Sequence, residues 1–190
     1  MSSVADICNR ALQRLGAGSI SVITEDSTEA IECNRCYTSL RDAELRAYIW
    51  GFAKSRVALA ASVVKPAFGP ANAFPVPGDF LRLIKAKNNR DWAIENQNGI
   101  IVILTNDAAP LEVPYIKRVT NTELFDPLFD EALAARMATE MSEKLTQSTK
   151  KGEVAEAAYR TIIAQARSVN ALERHPEDPV EDDWSKVRRT

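Results

Sequence analysis

The stretch "AYIWGFAKSRVALA" (residues 47–60) marks a change of period. Before it, apolar residues recur every three or four positions. After it they alternate, with Val57, Leu59 and Ala61 on one side and Arg56, Ala58 and Ala60 on the other. A helix therefore hands over to a strand at Trp50, Gly51 and Phe52. Such a joint is either a catalytic turn or a structural anchor, and the rest of the chain chooses between them.

Upstream, residues 3–16 read as an amphipathic helix. Val4, Ile7, Cys8, Ala11, Leu12 and Leu15 form its apolar stripe, and Gly16 and Gly18 end it. Asp26 with Glu29 resembles a capping box opening a second helix that runs to about Ile49. Its expected buried face is Ala30, Cys33, Tyr37, Leu40, Ala43 and Ala47, widened near the end by Leu45, Tyr48 and Ile49.

Downstream, Pro66, Pro70, Pro75 and Pro77 with Gly69 and Gly78 exclude regular helix over 65–79. "DFLRLIKAK" (79–87), "DWAIEN" (91–96), "IIVILT" (100–105) and "LEVPYIKRV" (111–119) predict a small antiparallel meander. "NNR" supplies one turn and "QNG" (97–99) another, since Asn-Gly suits a turn with positive φ at both central residues. Pro114 within the last strand predicts an edge or a bulge. The helical period returns at Asp126-Pro127, an N-cap followed by proline at the first helical position. Phe129, Leu133, Met137, Met141 and Leu145 mark that helix's buried face. "STKKG" breaks it, and a fourth helix over about 152–174 presents Ala155, Ala158, Tyr159, Ile162, Ala166 and Val169.

The expected fold is α+β and mainly α. The N-terminal helices (1–54) and C-terminal helices (121–174) form an antiparallel bundle, residues 55–120 an inserted antiparallel β subdomain, and residues 175–190 an extended arm. That arm is polar and would be disordered alone, but Trp184 suits an anchor in a partner's pocket.

The 190 residues are 45% hydrophobic and 26% charged, ordinary for a globular chain. No apolar run is long enough to span a bilayer, and "MSSVADICNR" lacks the pattern of a secretory signal. The net charge of −2 is not that of a protein holding nucleic acid by counterion release. Three cysteines, Cys8, Cys33 and Cys36, argue against a disulfide framework and for synthesis in the cytosol.

Catalytic signals are weak. Cys33-x-x-Cys36 lies inside a helix with too few other ligands for zinc, so the thiols are expected in the core, with no metal and no cofactor. The only histidine, His175, sits between Arg174 and Pro176 at the base of the arm, a poor place for a rigid base. The carboxylate pairs Asp91/Glu95, Glu123/Asp126 and Asp182/Asp183 read as turns, caps and solvated tail. No phosphate-binding glycine loop is present. "KNNRDW" (87–92) reads as a hairpin tip rather than a nucleic-acid contact. No catalytic residue is assigned. The chain instead shows surfaces that need neighbours: a helix apolar on more than one face, a polar tail with one aromatic, and a sheet with edges to cover.

The motifs also carry a resemblance. "RLGA" (14–17), "DSTEA" (26–30), the Cys33–Tyr37 stretch, Leu45-Arg46 and the Tyr48–Ala53 joint stand in the order found in the head-to-tail adaptor (tail tubular protein A) family of short-tailed bacteriophages. Pro77, Asp79 and Arg82, the segment "YIKRVTNTELFDPLFDEALAARMATEM", and Trp184 with Arg188 continue it, while Thr120-Asn121 departs from the acidic residue common there. The resemblance implies a structural, non-enzymatic subunit of the virion neck, assembled in the bacterial cytoplasm. Its partners would be identical copies in a dodecameric ring, a portal protein, a tail nozzle protein and double-stranded DNA passing through the lumen. Near-neutral charge suits a channel along which DNA must slide. The expected interface residues are Val180, Trp184, Arg188 and Arg189. Trp50, Gly51 and Phe52 are expected to form the structural joint, with glycine allowing a sharp turn. The competing functional class is a cell-wall (peptidoglycan) hydrolase acting during infection.

Overall fold

Ser3 begins the first helix, α1 (Val4–Leu15). Its hydroxyl accepts the Asp6 amide while Asp6 returns a bond to the Ser3 amide, a complete capping box. Gly16 closes α1 in the left-handed conformation, at φ 67°. The computed structural model describes residues 2–85 and 92–173. The arm 175–190, with Val180, Trp184, Arg188 and Arg189, lies outside the described residues, as do His175 and most of "KNNRDW".

The second helix, α2 (Thr28–Ala47), starts one residue later than the Asp26 reading, because the Ser27 hydroxyl is the group that reaches the Ala30 amide. Glu25 holds the preceding loop by accepting from the Ser21 amide and the Ser27 hydroxyl, and these bonds lower its carboxyl pKa. α2 ends at Ala47, two residues early, since Tyr48 is already extended. Its buried face also differs. Ala43 and Ala47 are exposed, and Arg41 and Glu44 are buried beside Ala30, Cys33, Cys36, Tyr37 and Leu45.

The chain then forms six strands: β1 (Lys54–Leu59), β2 (Asn72–Pro75), β3 (Phe80–Leu83), β4 (Trp92–Gln97), β5 (Ile100–Thr105) and β6 (Leu111–Lys117). They do not make one meander. Two antiparallel three-stranded sheets form instead, ordered β1-β6-β3 and β2-β5-β4. β2 was not legible, because its proline-rich surroundings mask a four-residue strand. Asn98 at φ 54° and Gly99 at φ 84° make the expected β4–β5 turn.

Pro114 is a correction. β6 is the central strand of its sheet, pairing with β1 from Leu111 to Ile116. A residue's N and O point to the same side of a strand, and the Pro114 carbonyl accepts from the Ile84 amide at 3.0 Å. The ring nitrogen therefore faces the β3 side, where regular pairing stops at Leu83 opposite Tyr115. A proline is tolerated in a central strand where its neighbour ends.

Two further helices complete the chain: α3 (Pro127–Thr146) and α4 (Thr149–Leu172). Asp126 caps α3 by accepting from the Leu128 and Phe129 amides. The break expected at "STKKG" is shorter than that motif. Gln147 turns left-handed at φ 50°, Ser148 caps α4, and Lys150 to Gly152 are already helical. On α4, Ile163 is buried and Val169 is partly exposed, so the stripe is rotated from its expected position.

α3 touches all three other helices and is buried almost all round. Ala132, Ala134, Ala135 and Ala138 let its neighbours approach closely. One core joins the helices with Leu81, Ile116 and Val119 from the strand region. A second lies between the sheets, with Leu59, Leu83, Leu111 and Val113 from one and Phe74 and Ile103 from the other. The fold is thus mixed α and β, with the strands inserted between helix pairs in sequence.

α4 lies close to α3 at Gly152, where an added Cβ would be 2.8 Å from the Ser142 hydroxyl. That hydroxyl is itself bonded to the Thr139 carbonyl at 2.8 Å. Alanine at 152 gains about 1 kcal/mol of helix propensity but meets this contact. We therefore expect Gly152→Ala to lower the urea midpoint in the wild-type background and to raise it in Ser142→Ala. Equal effects in both backgrounds would refute the contact.

Candidate functional site

The joint is built from aromatic rings packed edge-to-face and tilted against one another. Trp50 is fully buried, and its centroid lies 5.1 Å from Tyr48, 6.1 Å from Phe52 and 5.1 Å from Phe129. Phe52 continues the cluster to Phe125 and Phe129. The indole Nε1 donates to the Glu44 carbonyl at 2.9 Å, so the ring's one polar atom is satisfied. Gly51 is not needed for a left-handed turn, being absent from the positive-φ residues of the described chain. It opens a 3-10 turn, and its amide donates to Asn170 Oδ1 at 2.9 Å. A Cβ there would make only ordinary contact, 3.5 Å from that oxygen. Asn170 Nδ2 also donates to the Ile49 carbonyl at 3.0 Å, stitching the end of α4 to the joint.

Beneath the joint sits Glu44, with a side chain only 1% exposed. Its Oε1 accepts from Arg136 and, at 2.5 Å, from the Tyr159 hydroxyl. Oε2 has no hydrogen-bond partner and lies 4.0 Å from Arg167. The guanidinium of Arg136 lies over Tyr159 and that of Arg167 over Tyr48. Burial, and donation to Glu44, raise the Tyr159 pKa. This cluster resembles a catalytic constellation in composition, yet its carboxylate is enclosed by three helices. It ties α2 to α3 through Arg136 and to α4 through Tyr159.

The three thiols are buried. Cys33 Sγ lies 3.7 Å from Met141 Sδ and Cys36 Sγ 3.6 Å from the Cys33 carbonyl. Contact with Cys8 and burial push the Cys33 pKa up, and burial pushes Cys36 up to about 12. Thiols held protonated are poor nucleophiles and poor metal ligands. Among the described residues no three His, Cys, Asp or Glu side chains gather as a metal site. No described helix is long and apolar enough to cross a membrane.

Of the carboxylate pairs, Asp126 is committed to the α3 cap, and Glu95 lies on β4. Asp130, whose charge suits the positive end of α3 by its place in the first turn, is a buried carboxylate. It accepts from the Ser2 hydroxyl, while its Oδ1 is buried without a partner. Burial raises its pKa above the ordinary carboxylate value.

Exposed apolar groups gather in the strand region. In the β2-β5-β4 sheet, Trp92, Ile94 and Ile101 share one face with buried Ile103, by the pairings Trp92↔Thr105, Ile94↔Ile103 and Asn96↔Ile101. The other sheet covers Ile103 but leaves Trp92, Ile94 and Ile101 about 40% exposed. β4 is also an edge strand, with β5 its one neighbour among the described residues. The β1–β2 connection adds Val63 and Phe68, 99% and 90% exposed. No signal in the sequence separated these residues from core strand residues, because their alternation is the same.

No protein-family model matches the chain, and no curated protein sequence does.

Two measurements test the buried charges. Glu44→Ala strands Arg136 and Tyr159 and should cost about 3–5 kcal/mol in urea unfolding, whereas loss of a solvated carboxylate costs under about 1 kcal/mol. For Asp130 the folded pKa lies above the unfolded one, so its contribution is present at low pH and is lost as pH rises through the folded value. Stability of the wild type relative to Asp130→Asn should accordingly increase as pH falls from 7 to 4. A pH-independent difference would contradict the assignment.

Proposed function

We propose that the protein is a structural adaptor of a phage neck, a subunit of a ring that joins portal to tail nozzle and continues the DNA channel. One observation supports this reading most. The strand region carries Trp92, Ile94 and Ile101 in water along a sheet with an open edge at β4. An exposed apolar strip beside an unpaired strand is an aggregation liability in a monomer and an asset in an assembly. Closed rings need two different complementary faces on each subunit. The strip would be one, and the resemblance in motif order would place the arm, through Trp184, on a neighbour or the portal. In this reading the buried Glu44 cluster and the aromatic joint give each subunit the rigidity to hold its faces at a fixed angle.

Native mass measurement of the purified chain, with and without portal particles, tests it directly. Portal-dependent binding of multiple copies is the expected result. Trp184→Ala should weaken docking by about 2 kcal/mol, roughly thirtyfold. A chain that stays monomeric at all concentrations and ignores portal, or that hydrolyses peptidoglycan, would overturn the proposal.

A further inference from the structure

The outer face of the β1-β6-β3 sheet carries a groove of about 520 Å³ lined by Lys54, Arg56, Val57, Lys85, Glu112, Val113 and Pro114. Register fixes its layout. Lys54 and Arg56 project from the same face of β1, since side chains two apart share a face. Pro114 stands directly across from Arg56, with Glu112 across from Ala58. Lys85 follows Ile84, whose amide bonds the Pro114 carbonyl from the other side of β6. Cations therefore flank an apolar proline floor on both sides, three of them against one carboxylate among the described lining residues.

The complementary segment is in the same chain. Residues 177–183 read "EDPVEDD": five carboxylates and no base, with Pro179 and Val180 between them. Proline has no amide N–H and disfavours helix at the residue before it, which suits a peptide for a shallow sheet groove. The groove is also close to where this segment begins. α4 ends at Leu172 with Glu173 as its cap, and Asn170 is bonded to both the Gly51 amide and the Ile49 carbonyl. Gly51 and Glu173 line one shallow cavity with Phe52. From Gly51 a single 3-10 turn, about 2 Å per residue, leads to Lys54 at the start of the groove. From Glu173 to Glu177 an extended chain covers up to about 14 Å. The acidic segment thus starts within reach of Lys54 and Arg56.

We infer that this groove is a docking site for an acidic peptide, and that its occupant is the chain's own segment 177–183. The docking is electrostatic, Lys54, Arg56 and Lys85 facing Glu177, Asp178, Glu181, Asp182 and Asp183, with Val180 available to the Pro114 floor. It holds the arm against its own strand region until a partner with a stronger claim on Trp184 draws it off. The inference does not depend on the ring, and its test reads a contact within one chain.

Carbodiimide coupling of the full-length chain, at low concentration and as a mixture of light and 15N-labelled protein, joins amines to carboxylates in direct contact. Peptide mapping should find Lys54 or Lys85 joined to carboxylates of 177–183 within one chain. The yield should fall about threefold or more in 1 M salt, where the screening length is about 3 Å. It should fall similarly in Arg56→Gln, which removes an exposed charge and leaves both amines, and in the variant E177Q/D178N/E181Q. Cross-links only between light and heavy chains would put a second copy in the groove and overturn the assignment to the chain's own arm. Arm carboxylates that couple elsewhere or not at all would overturn the groove as its site. Failure of portal binding, by contrast, would leave the intrachain cross-links untouched.

Discussion

A single buried carboxylate constrains most of the helical half. Glu44 is carried by α2, bonded to Arg136 of α3 and Tyr159 of α4, and approached by Arg167 of α4. Its backbone carbonyl meanwhile accepts the Trp50 indole. Removing a charge from water costs several kcal/mol unless it is paired. Here the pairing holds only if three helices keep one rotation and one register. Apolar contacts alone tolerate slippage, because leucine against alanine is nearly as good one turn away. Turning α3 by one residue, about 100°, would carry Arg136 away from Glu44 and leave the charge to Tyr159 and Arg167 of α4 alone.

The same region couples the helices to the strands. Arg118, just past β6, bonds Asp42 on α2 at 2.7 Å, and Arg46 donates to the Leu81 carbonyl of β3. Arg82 of β3 reaches the Ala47 carbonyl at the end of α2, where a cation answers the negative end of the helix dipole. Lys151 of α4 does the same for α1, donating to the Leu15 carbonyl at 2.8 Å. The aromatic joint fills the space these bonds enclose. Its residues link the end of α2 to the start of β1 and pack against α3 through Phe129.

The strand region is arranged differently. Its two sheets share a small core of Leu59, Leu83, Leu111, Val113, Phe74 and Ile103. That leaves the apolar strip uncovered at Trp92, Ile94 and Ile101 on one side and the basic groove on the other. Two surfaces of opposite chemistry on one small element suit contacts with different partners. The strip favours a hydrophobic neighbour, and the groove an acidic peptide.

What the sequence determined by itself is local. The caps at Ser3 and at Asp126-Pro127, the Gly16 stop and the Asn98-Gly99 hairpin are each set by residues a few positions apart. So was the period change at Trp50. Tertiary structure decided the rest, because each remaining feature depends on a residue distant in the chain. Glu44 lies off the expected buried face of α2 and is buried because Arg136 of α3 and Tyr159 of α4 close over it. Pro114 reads as an edge until β3 is seen to end beside it. One meander becomes two sheets because β6 pairs with β1 and β3, whereas β5 pairs with β2 and β4. Alternation along a strand states that one face is buried, but not by what. A side chain's neighbours across the fold settle that.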